Sequence, residues 1–182
     1  MHEQLTAYRE LRQNRQIPYQ LFEELVYLFP TVLVHESNGR FDAFEKGNIR
    51  YITENTAREH GLNEDLLKAE IDYIKNHISE VKPLLLTALK HFNQEHDIAN
   101  DVLDQMLSSA RVSSESQRNN LIFSNYHNFF DIFRSFISYF LEPDPEKPFI
   151  REDEKTAMLE VLEAIDGVSE RNYQILQSLA KD

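Results

Sequence analysis

Cysteine is missing from this 182-residue chain, and glycine occurs only four times. The first absence removes disulfides, thiolate metal sites and cysteine nucleophiles together, and suits a reducing compartment. The second leaves no glycine-rich loop to cradle a phosphate. Positive charge is also scarce: 19 Lys and Arg stand against 31 Asp and Glu, a net charge of −12. No stretch gathers enough basic residues to offset that field, so bare nucleic acid and anionic membrane are repelled, while cations and basic protein surfaces are attracted. The first fifteen residues carry Glu3, Arg9, Glu10, Arg12 and Arg15 and no apolar core of a secretory signal, so a cytoplasmic location is expected. The stretch 121–141 is long enough to cross a bilayer but contains His127, Asp131 and Arg134. It reads as a buried core helix, with no membrane span.

Alternation with period two is absent as well, whereas apolar residues recur at helical spacing nearly everywhere. Hydrophobic residues make up 41% of the chain, enough for one all-α domain over 1–182 that buries roughly 70% of its unfolded surface. Helices are expected over 2–14, then from Pro18, whose fixed φ suits a first turn, with a kink at Pro30. Asn38-Gly39 marks a turn, and a third helix opens at Asp42 and closes near Gly61. Asn63 should cap a fourth helix and Ser79 a fifth, with Pro83 in its first turns. Later helices are expected over 98–110, 114–141, 152–165 and 169–179. The only extended linker is 142–148, which holds Pro143, Pro145 and Pro148.

Two segments of this multi-helix bundle agree at a single offset of 109 residues. Phe41 falls on Ile150, Glu45 on Glu154, Lys46 on Lys155, Ile49 on Met158 and Ile52 on Val161. The pattern is that of two pseudo-repeated helical hairpins, 18–61 and 122–167, joined by helices over 64–121. Each is an apolar helix, a polar loop, one apolar residue, and a second helix with Glu in its first turn.

The first of these loops runs Glu36-Ser37-Asn38-Gly39-Arg40-Phe41-Asp42-Ala43-Phe44-Glu45. It resembles the tellurite-resistance TerB-like family, whose hallmark is a small residue, Asp-Gly, a variable residue, Ile or Val, and a Glu four positions later. Here Asn38 stands at the Asp and Phe41 at the aliphatic position, and the second copy keeps Ile150 and Glu154 without the Asp-Gly pair. The resemblance implies a TerB-like helical domain with pseudo-repeats, connected with metal or chemical stress and binding divalent cations through loop carboxylates. From the residues themselves, Glu36, Asn38, Asp42 and Glu45 offer oxygen donors around one turn, the ligand type that Ca²⁺ or Mg²⁺ prefers. The same residues support a second reading. Asp42 as N-cap and Glu45 three residues on form a capping box, which satisfies free amides without any metal. In the second copy Glu152, Asp153 and Glu154 fill a first helical turn, where the dipole favours acids.

No catalytic signature emerges. His91 and His96 lie five residues apart, about 140° around a helix, so they diverge rather than chelate. Ser79 and Lys82 have the spacing of a Ser-Lys nucleophile but lack its partner motifs, and no Glu is followed by His at the third position. The aromatic stripe through Phe123, Tyr126, Phe129 or Phe130, Phe133, Phe136 and Phe140 reads as a packing face. The leading expectation is therefore a non-enzymatic helical module that binds protein partners. Two alternatives remain: an enzyme or small-ligand protein with a pocket between the helical halves, and an acidic adaptor or immunity-type protein.

Overall fold

The computed structural model describes residues 1–37, 43–115 and 150–179. Eight helices occur there: α1 His2–Leu11, α2 Tyr19–Glu36, α3 Ala43–Glu59, α4 Glu64–Asn76, α5 Ile78–His96, α6 Ala99–Glu115, α7 Glu152–Ala164 and α8 Glu170–Leu179. No strand is present among the described residues, and the all-α bundle read from the periodicity is what forms. The expected helix over 114–141 lies outside the described residues beyond Glu115, as does the 142–148 linker.

The molecule is organised around α2. From Leu21 to His35 only Glu23, Glu24 and Tyr27 are not buried. A helix that is apolar on every side needs neighbours on every side. This one packs against α1, α3, α4, α5, α6 and α7. Leu21, Phe22, Leu25 and Phe29 are buried to 1% exposure or less. Each such side chain contributes about 1.5–3 kcal/mol relative to leaving it in water. Pro30 is buried too, and the helix continues through it to Glu36. One missing amide removes one helical bond, and neighbours on all sides hold the turn in place.

Helix ends explain where sequence and structure part. α1 closes at Leu11, earlier than expected, because Gln13 adopts φ 53 and Asn14 N–H donates to Arg9 O at 3.0 Å. The same closure ends α3, with Gly61 at φ 65 and Leu62 N–H on Ala57 O at 2.8 Å. It ends α7 as well, with Asp166 at φ 57 and Gly167 N–H on Leu162 O at 2.7 Å. In each, a left-handed residue lets the chain reach back and satisfy a free carbonyl. Asn63 caps α4 as expected, its side chain accepting from Leu66 N–H at 2.9 Å. Ser79 does not cap α5: the helix starts at Ile78 after His77, so Ser79 lies inside the first turn. His77 takes the boundary because its ring nitrogen Nδ1 lies 3.0 Å from Tyr73 O and its amide closes α4 on the same carbonyl.

The turn between α7 and α8 is fastened to α5 and α6. Asn93 Nδ2 donates to Ile165 O at 2.9 Å, Asn172 Nδ2 donates to Gly167 O at 3.1 Å, and Lys90 pairs with Asp166 at 2.7 Å. A Cβ on Gly167 would stand 2.8 Å from Ala99 Cβ, so glycine is what permits the close approach.

Candidate functional site

Of the four loop donors, Glu36 is the last residue of α2 and half-buried, beside Ser37, whose hydroxyl donates to Val34 O at 2.7 Å. Asn38, Asp42 and the side chain of Glu45 lie outside the described residues. The pairing of Phe41 with Ile150 lies outside them on one side for the same reason. In the second hairpin Glu154 is buried at 3% exposure, and its Oε2 accepts from Arg151 N–H at 2.9 Å. Arg151 Nη2 donates to its other oxygen at 3.0 Å. That carboxylate is spent on capping its own helix.

The histidine pair is exposed at both positions, and His96 packs its ring against Phe92 at 4.7 Å. Among the described residues no three His, Asp or Glu side chains gather in a metal-holding group. Lys82, the partner in the Ser-Lys spacing, instead pairs with Glu160 of α7 at 2.6 Å.

Two buried polar contacts that the sequence does not announce tie helices together. Glu70 is fully buried on α4; it accepts from Tyr8 Oη at 3.0 Å and from Arg12 Nε at 3.1 Å. Arg12 also lies 4.4 Å above the Tyr73 ring. Burial, then the neighbouring Glu70 charge and its hydrogen bond, push the Tyr8 hydroxyl far above its ordinary range, so it stays a donor. Between α2 and α6, His35 Nε2 lies 2.6 Å from Ser109 Oγ, both fully or almost fully buried.

The feature with chemistry to offer is a face of carboxylates and tyrosines. α2 carries Tyr19, Glu23, Glu24 and Tyr27 along its less buried side. Glu59 ends α3, Glu95 is near the end of α5, and α6 carries Asp101 in its first turn and Asp104 in its second. These groups feel one another. Burial raises the Asp104 carboxyl to about 6, Asp101 pushes it the same way, and Arg171 only partly offsets them. The Tyr27 hydroxyl is pushed up to about 12 by burial and then by Asp101, Glu24 and Asp104. Burial likewise lifts Glu24; the His60 ring, 2.5 Å away, opposes this, while Glu23 and Glu59 add to it. Tyr19 is raised by burial and by its hydrogen bond and charge contact with Glu23, with Glu95 beyond. Six carboxylates from four helices thus share one region with two tyrosines, and the His60 ring and the Arg171 guanidinium stand beside them.

The face was hidden from sequence reading because its members lie on segments far apart in the chain. A local sign existed in Tyr19, Glu23 and Tyr27, spaced four apart on one helix side. Among the described residues no helix is long and apolar enough to cross a membrane. Comparison of the chain with protein-family models, with curated proteins and with solved structures finds no match in any of the three.

Proposed function

We propose that this protein is a non-enzymatic helical interaction module that docks a lysine- and arginine-rich protein segment on its α2–α6 face. One observation carries the reading: burial, and then the neighbouring Asp101 charge, raise the Asp104 carboxyl to about 6, and burial with Glu23 and Glu59 beside it lifts Glu24 in the same direction. Like charges held together in this way cost free energy in the unbound protein, and an incoming ammonium or guanidinium group relieves it. Tyr19 and Tyr27 add ring faces of the kind on which such cations also rest. The net charge of −12 steers a basic partner toward the molecule from a distance. The proposal keeps the role implied by the TerB-like resemblance, a metal or chemical stress response with a divalent cation on the loop of Glu36, Asn38, Asp42 and Glu45.

The test is a calorimetric titration with a synthetic Lys/Arg-rich peptide. Asp101→Asn with Asp104→Asn should weaken binding about tenfold or more, since each close charge pair contributes on the order of 1.5 kcal/mol or above. Asp65→Asn with Glu80→Gln removes the same charge from exposed sites on α4 and α5 and should change affinity far less. Equal losses from both pairs would mean that net charge alone attracts the peptide, and the face would have no special role.

A further inference from the structure

A small cavity lies where α2, α3 and α4 meet. Its volume is about 10 Å³, and Leu28, Thr31, Val32, Ile52, Thr53 and Ile71 are among its lining residues. Lined by aliphatic side chains alone, it would be a dry hole. The two threonines change its character. Thr31 is 2% exposed, and its hydroxyl oxygen has no hydrogen-bond partner among the protein groups. Thr53 is also 2% exposed; its hydroxyl donates to Ile49 O at 2.6 Å, which leaves the lone pairs of its oxygen able to accept.

A buried hydroxyl with no partner is destabilising, and buried polar groups in native proteins are almost always satisfied by protein or by water. A threonine inside a helix ordinarily solves this by donating to the carbonyl one turn back, as Thr53 does. Thr31 does not. The volume is that of about one water-sized sphere, at the lower bound of what holds a water, and the site offers two oxygens on facing helices.

We infer that the α2–α3–α4 cavity is a binding site for one ordered water, which bridges Thr31 Oγ1 on α2 to Thr53 Oγ1 on α3. The water donates one hydrogen to the Thr53 oxygen and exchanges its second bond with the Thr31 hydroxyl. Its effect is to fasten α3 onto the central helix by a polar contact within an apolar joint. The water thus ties together two helices that are consecutive in the chain, α2 ending at Glu36 and α3 beginning at Ala43. The site stands independently of the α2–α6 face.

Thr31→Val tests this, because it keeps the shape and deletes the hydroxyl. Water ¹⁷O relaxation dispersion on the parent should contain a long-lived component that falls by one molecule in T31V and stays in Thr31→Ser. T31V should also melt below the parent, since a satisfied bridge is lost. An orphaned hydroxyl predicts the opposite sign, because a methyl group belongs in an apolar hole. Equal dispersion amplitudes in parent and T31V would overturn the inference, and so would a T31V that melts at or above the parent. If T31V does not fold, Thr53→Val must show the same loss of one long-lived water, and a full-strength component there would overturn the inference equally.

Discussion

Two carboxylates with opposite surroundings illustrate how much a single residue decides. Glu70 has no solvent but has a tyrosine hydroxyl and a guanidinium as donors. Removing it leaves Tyr8 and Arg12 without their acceptor, and breaking a fully buried pair from one side costs about 3–5 kcal/mol, an upper bound here because Arg12 is 30% exposed. Tyr8→Phe removes one donor and leaves Arg12 in place, a loss of about 1–3 kcal/mol. Urea denaturation should therefore rank Glu70→Ala well below Tyr8→Phe, and equal losses would show that Arg12 is not a real partner. Asp104 is the reverse case. Its folded-state pKa of about 6 lies above the unfolded value of 3.8, so the folded protein binds a proton that the unfolded chain has already lost between those values. Stability then falls as pH rises from near 4 to near 6, and the penalty is full above about 6. Asp104→Asn should stabilise the protein at pH 7 by about 1 kcal/mol after allowance for solvent screening, and by nothing near pH 4. Melting curves of both proteins at the two pH values check the sign.

At the scale of helices, the periodicity in the chain revealed existence and type better than it revealed ends. α2, α4, α5 and α7 are legible because Leu21, Leu25, Leu67, Ile71, Leu85, Met158 and Val161 repeat at helical spacing and are buried. Their termini are legible only where a residue type announces the geometry. Gly61 announces a left-handed closure, whereas Gln13 and Asp166 adopt the same backbone without any such sign. The loop donors could be read as residues, but the capping of Glu154 shows that an acid in a first helical turn is satisfied locally. Gly61→Ala meets open space, so its cost is the backbone's alone, about 1 kcal/mol for a left-handed Cβ. Gly167→Ala adds a 2.8 Å approach to Ala99 Cβ, and overpacking of this kind costs about 1–3 kcal/mol. Ala99→Gly should restore part of that loss in the double variant while doing nothing for Gly61→Ala, a difference that a double-mutant cycle reads directly. The loop has its own test. On the capping reading of the sequence, Asp42→Ala should lower stability by about 0.5–2 kcal/mol. If the loop also holds Ca²⁺ or Mg²⁺, the parent gains about 2.7 kcal/mol at a hundredfold excess of free metal over its dissociation constant and the variant does not. Melting in calcium, magnesium and EDTA separates the two.

For the whole molecule the argument turns on where the charge is. A chain with 31 acidic and 19 basic residues could spread its excess evenly, and then it would promote solubility and little else. Here part of the excess is concentrated at Glu23, Glu24, Glu59, Glu95, Asp101 and Asp104, around tyrosines that are themselves perturbed by it. The fold makes this concentration: α2 is central and buried except along that side, and α6 lies beside it with its first turn carrying Asp101. None of these acids is near all the others in sequence, so composition predicts attraction to basic partners while only the packing of α2, α3, α5 and α6 predicts where. Long-range attraction acts on the rate of encounter and is screened over about 10 Å at 0.1 M salt. Close contacts between desolvated charges act on the rate of release. The association rate of the Lys/Arg-rich peptide should therefore drop steeply as salt is raised from 0.02 to 0.5 M, while the dissociation rate changes much less. Asp101→Asn with Asp104→Asn should divide in the other way, speeding release more than it slows encounter, because it removes local contacts from a molecule that keeps most of its charge. Stopped-flow measurement of both rates decides the matter. Were the variant pair to slow encounter alone, the face would be only a patch of the general field, and the docking surface would have to be sought elsewhere on the bundle.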